Sequence, residues 1–90
     1  MQQFTTIISD PLGIHARPAS IFVNKAKEFQ SKITVENMVT GKAKDAKAIL
    51  GVMTLALVKG TQIKITADGP DEDVAIAAMA ELVDTGCGEL

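Results

Sequence analysis

Ninety residues make one small domain, 1–90, which buries only about two-thirds of the surface its unfolded chain exposes and must use its apolar residues efficiently; at 47% hydrophobic it can. The three aromatic residues are all Phe and offer no platform for stacking bases, and nine basic against eleven acidic residues, with a pI near 5.2, argue against a nucleic-acid partner. One cysteine closes no internal disulfide, Met1-Gln2-Gln3-Phe4 lacks the charge and apolar run of a signal peptide, and the longest apolar run, Ala48 to Val58, is interrupted by Gly51 and Thr54 and falls short of the ~20 residues a membrane span needs. A soluble cytoplasmic protein without membrane insertion is the expectation.

In chain order, Gln3 to Ile8 reads as a strand with Phe4, Thr6 and Ile8 on one face, and Asp10-Pro11-Leu12-Gly13 breaks it. From Ala16 to about Phe29, Ala19, Phe22, Val23, Ala26 and Phe29 fall at helical spacing, with Ser20, Asn24, Lys27 and Glu28 on the other side. Ile33 and Val35 alternate with polar residues as in a half-buried strand, and Gly41 turns the chain into a short polar strand around Lys42 to Lys44. Gly41-Lys42 lacks the spacing of a phosphate-binding P-loop.

Lys47 to about Leu55 reads as a second helix. Ile49, Leu50, Val52, Met53 and Leu55 cannot all enter one core from roughly two and a half turns, so some of them are exposed; Val52 and Leu55 are the ones expected to pack inward. Thr61 to Ala67 is the clearest strand. Gly69-Pro70 then opens the last helix, with Pro70 in its first turn, Asp71, Glu72 and Asp73 matching the dipole, Ala75, Ile76, Met79, Leu82 and Val83 as its buried stripe, and Gly86 as its stop. The acidic run reads as helix punctuation, no metal site or cofactor is implied, and Cys87 in a Gly-Cys-Gly tail has no activator nearby. The order β-α-β-β-α-β-α predicts an α+β fold: an open-faced sandwich, with a four-stranded, mainly antiparallel sheet covered on one face by three helices.

The stretch that carries chemistry is Gly13-Ile14-His15-Ala16-Arg17-Pro18. Pro18 has no N–H to lose in a first turn, so a helix starts within a residue or two of it and His15, the one histidine, stands at that start. The free backbone N–H groups there, those of Ala16 and Arg17 included, attract an anion such as phosphate and disfavour imidazolium, which keeps the ring neutral and nucleophilic. Arg17 adds a permanently charged fork. Together they make a site for a phosphoryl group carried on a ring nitrogen.

These residues, extended to Ala19, resemble the phosphorylation site of the histidine-containing phosphocarrier (HPr) family of the bacterial sugar phosphotransferase system. Lys47 to Leu55 resembles that family's second helix, and Ala67-Asp68-Gly69 with Asp71 and Glu72 the entry to its third, in the same order over essentially the whole chain. The resemblance implies the same architecture. It also implies that His15 accepts a phosphoryl group at Nδ1 from the phosphoenolpyruvate-dependent general phosphotransferase (enzyme I), and that the A components of sugar permeases (enzyme IIA) remove it. The protein would then be a stoichiometric carrier rather than an enzyme. It further implies an apolar docking patch at Ile49, Leu50 and Met53, with Lys27 near the docking surface. The alternative, from the nitrogen-related branch, is a regulatory binding module whose phosphorylation state partners read. Ala48 stands where many members have a regulatory serine, and an insertion around Met38-Val39 is reminiscent of carrier domains within larger multiphosphoryl proteins. A monomer is expected.

Overall fold

The computed structural model describes residues 1–8, 16–55 and 57–84, the side chains of residues 16–18 apart. Its elements run β1 (Gln2–Ile7), α1 (Ala16–Ala26), β2 (Lys32–Asn37), β3 (Lys42–Asp45), α2 (Ile49–Met53), β4 (Gln62–Asp68) and α3 (Glu72–Asp84). The four strands form one sheet in the order β1-β4-β2-β3, every neighbouring pair antiparallel.

Alternation along the central strands decides which face the helices cover. Ile33, Val35, Ile63, Ile65 and Ala67 are buried, while Thr34, Glu36, Lys64 and Thr66 between them are half-exposed, so one face is core and the other meets water. The register sets Val35 opposite Ile65 on the inner face and Glu36 opposite Lys64 on the outer one, where the two charges lie 3.7 Å apart. Ala19, Phe22, Val23 and Ala26 of α1, with Ala75, Met79 and Val83 of α3, close the core from above. Ile76 and Leu82, expected in the α3 stripe, are only partly buried against it.

Several boundaries differ from expectation for identifiable reasons. β1 starts one residue earlier, at Gln2, but the face assignment holds: Phe4 and Thr6 are half-buried and Ile8 is buried, its N–H donating to the Thr61 carbonyl at 2.9 Å. α1 stops at Ala26 rather than Phe29, because Lys27 N–H makes the last i−4 bond, to Val23, and Glu28 and Phe29 bond i−3, tightening the chain out of the helix. α2 is five residues rather than nine. Its N-cap, Ala48, is extended (φ −113°, ψ 105°) and offers no capping side chain; at its end the Thr54 N–H is shared between the i−4 and i−3 carbonyls and Leu55 closes with an i−3 bond.

α3 begins at Glu72, so Pro70 precedes the helix instead of sitting in its first turn. The acidic run does more than complement a dipole. The Asp71 carboxylate accepts hydrogen bonds from the Gln30 N–H (2.8 Å), the Ser31 N–H (2.9 Å) and the Ser31 hydroxyl, bolting the start of α3 to the turn between α1 and β2. Those bonds, the Ser31 hydroxyl first, hold the Asp71 carboxyl below its ordinary pKa. A lowered folded-state pKa means that the bolt stabilises the fold above the ordinary carboxylate range and is lost as pH falls through the lowered value. A Cβ on Gly69 would stand 2.6 Å from the Ser31 Cα, so this close approach requires glycine. The predicted stop at Gly86 lies outside the described residues.

Candidate functional site: the start of α1 and the exposed face of α2

α1 starts at Ala16, so Gly13, Ile14 and His15 immediately precede it in sequence and Pro18 is its third residue, where a backbone N–H would have no intrahelical acceptor. His15 lies outside the described residues. Ala16 and Arg17 occupy the first two helical positions, and their N–H groups are among those an α-helix leaves free. No acidic residue sits in this first turn, so nothing within the helix cancels the positive end of its dipole. By contrast, α3 carries Glu72 and Asp73 in its first turn. The buried row Ala19, Phe22, Val23 and Ala26 presses α1 onto the core and thereby fixes where its start sits.

α2 divides its apolar residues as the sequence requires. Val52 and Leu55 are buried, whereas Leu50 is 78% exposed, Met53 43% and Ile49 37%. Apolar side chains left in water on one short helix make a patch suited to association, and Met adapts to differently shaped surfaces. α2 packs against α1, so the patch belongs to the same helical layer as the start of α1. Ala48 is exposed just ahead of the patch. Lys27 is exposed as well, but it lies past the far end of α1, ~16 Å along the helix axis from Ala16. The structure thus groups Ile49, Leu50 and Met53 and sets Lys27 at a distance from the helix start.

Lys47, read from sequence as the first residue of α2, instead lies ahead of it, and its Nζ donates to the Phe29 carbonyl at 2.6 Å, tying the approach to α2 onto the end of α1. Eighteen residues separate the partners, and no local pattern announces the contact. Among the described residues no group of three or more His, Cys, Asp or Glu is placed to hold a metal ion, and no helix is long and apolar enough to cross a membrane.

Comparison with known proteins agrees with this layout. Residues 2–85 match the family model described as the PTS HPr component phosphorylation site. The chain is 54% identical over 82 residues to the phosphocarrier protein HPr of Lysinibacillus sphaericus, covering 91% of this chain and 89% of that one. The crystal structure of HPr-C-His from Thermoanaerobacter tengcongensis superposes with a TM-score of 0.93 at 40% identity, covering 100% of this chain and 99% of that one. An HPr dimer from the same organism matches with a TM-score of 0.77 at 40% identity, covering 99% and 100%. The family-model match over residues 2–85, together with 54% identity to a phosphocarrier protein HPr over 91% of the chain and the shared fold, places this chain in the HPr family of phosphocarrier proteins of the phosphotransferase system.

Proposed function

We propose that the chain, as a single domain of residues 1–90 working in the cytoplasm, carries a phosphoryl group on Nδ1 of His15 between enzyme I and the A components of sugar permeases. The neutral ring attacks phosphorus with the Nδ1 lone pair. As the N–P bond forms, the bond from phosphorus to the donor breaks, and Nε2 keeps its proton, so no base is required. The backbone N–H groups of Ala16 and Arg17, with the Arg17 guanidinium, neutralise the phosphoryl oxygens. Ile49, Leu50 and Met53 dock the partners, and Lys27, one helix length from the start of α1, steers them by charge. A monomer suits a carrier that presents one face to successive partners, although an HPr from Thermoanaerobacter tengcongensis crystallised as a dimer.

The observation that carries this reading is the start of α1 at Ala16, directly after His15, with a first turn free of acidic residues. The test is to incubate the protein with phosphoenolpyruvate and purified enzyme I, then add a purified A component. The reading requires acid-labile phosphate on the protein and its passage onward. Phosphate that is accepted but never passed on would favour a regulatory module, and no acceptance at all would refute the carrier role.

A further inference from the structure

Five residues are too few for a helix to hold its own shape, because the cost of nucleation is recovered only over many residues. Whatever fixes α2 must come from its packing and from other elements: within it Val52 is buried, and ahead of it stands the Lys47 contact, made by a long side chain. Behind it stands Asn37, the last residue of β2 and only 2% exposed. The Asn37 Nδ2 donates to the Leu55 carbonyl at 2.7 Å, while its Oδ1 accepts from the N–H of Val39 (2.9 Å) and of Thr40 (3.3 Å).

Both ends of this amide are therefore committed, the oxygen to the β2–β3 turn and the nitrogen to the end of α2. Rotating the group by half a turn would set carbonyl against carbonyl and N–H against N–H, so one orientation is allowed. The anchor is rigid, because Asn37 pairs with Ile63 of β4 on one side and Lys42 of β3 on the other. Leu55 is itself buried and lies two residues past the last helical residue, so its carbonyl is a point through which the sheet sets the pose of α2.

We propose that Asn37 is a positioning residue for phosphoryl transfer: its buried amide couples the turn at 38–40 to the end of α2 and holds Leu50 and Met53 in the pose onto which the phosphoryl donor docks. This role rests on the reading of those side chains as the docking patch. Asn37 never touches the phosphoryl group, so its effect falls on docking and leaves the chemical step alone.

Asn37→Asp separates the two arms. The carboxylate keeps the shape and can still accept from Val39 and Thr40, but it has no proton for the Leu55 carbonyl and repels it. The expected result is faster hydrogen exchange at the Val52, Thr54 and Leu55 amides with unchanged protection at Ile65 and Ala67. With it comes a KM for this protein in the enzyme I reaction raised roughly fivefold, what losing one net hydrogen bond of pre-organisation gives, and an unchanged kcat. Asn37→Ala, which buries no charge, should raise KM in the same sense. Unchanged KM despite a loosened α2 overturns the proposal, as does a loss of sheet protection and kcat together, which marks a purely structural residue. In the wild-type protein, a scalar coupling across the hydrogen bond from the Asn37 Nδ2–H to the Leu55 carbonyl carbon reports the tether without any variant, and its absence overturns the proposal directly. A wild-type protein that enzyme I does not phosphorylate refutes the carrier reading itself, a result that the exchange and coupling data distinguish from a missing tether.

Discussion

α1 and α2 lie in one helical layer yet solve opposite problems. α1 has eleven residues and a continuous buried row, Ala19, Phe22, Val23 and Ala26, so packing sets its position, and its first turn holds no acidic residue. α2 has five residues, buries only Val52 among them, and leaves Ile49, Leu50 and Met53 in water. The first helix is stabilised by what it hides. The second is held by Val52 and by tethers at Lys47 and Asn37, and displays what it does not hide.

Breaking the buried row of α1 has the largest expected effect on the fold. Phe22 is 1% exposed, and Phe22→Ala should cost about 3–5 kcal/mol, read by urea denaturation. A cost near zero would mean that α1 is not anchored by its stripe. Next comes the start of the same helix, where, on the proposed carrier reading, Arg17→Ala should slow phosphorylation by enzyme I about a hundredfold without abolishing it, since one charged donor of the proposed site is removed. An unchanged rate in a stopped-flow assay would reduce Arg17 to a surface charge.

The contrast sharpens at α2. Because Leu50 is 78% exposed, Leu50→Lys should leave the melting temperature nearly unchanged while raising the KM for this protein in the enzyme I reaction several-fold. A large drop in melting temperature would show that Leu50 belongs to the core. The smallest effect concerns the uncapped start of α2: Ala48→Ser should add about 0.5–1 kcal/mol by giving the helix a side-chain acceptor for a free N–H, measured by thermal denaturation. No gain would mean that the extended Ala48 backbone does not present its side chain to the first turn.

What the sequence made legible follows from the range of the interactions. Ile33 and Val35, and Ile63, Ile65 and Ala67, announce their face by alternation, and the α1 stripe announces itself at helical spacing, so the sheet, its helices and their order could be read directly. The surplus of apolar residues from Ile49 to Leu55 told correctly that some must be exposed. The length of α2 could not be read, because apolar density suggests a helix without saying where its caps fail. Asn37, in Glu36-Asn37-Met38, looks like an ordinary turn residue, and its partner Leu55 is 18 positions away. Asp71 looks like helix punctuation, and its partners Gln30 and Ser31 lie 41 and 40 positions away. Polar contacts across such distances carry no periodicity. The histidine was legible as a motif, since Gly13 to Pro18 combines a turn, an imidazole, an arginine and a helix start, and the start of α1 at Ala16 agrees with that reading.

The carrier role turns on one atom. Incubating wild-type protein and His15→Ala with phosphoenolpyruvate and enzyme I, then mapping phosphate by mass spectrometry without acid and by ¹⁵N–³¹P NMR, tests it most directly. One phosphoryl group is expected on His15 Nδ1 in the wild type and none on His15→Ala, whose melting temperature should match the wild type because the buried row of α1, Ala19, Phe22, Val23 and Ala26, is left intact. Phosphate retained by His15→Ala, or found on any other residue of the wild type, would contradict it.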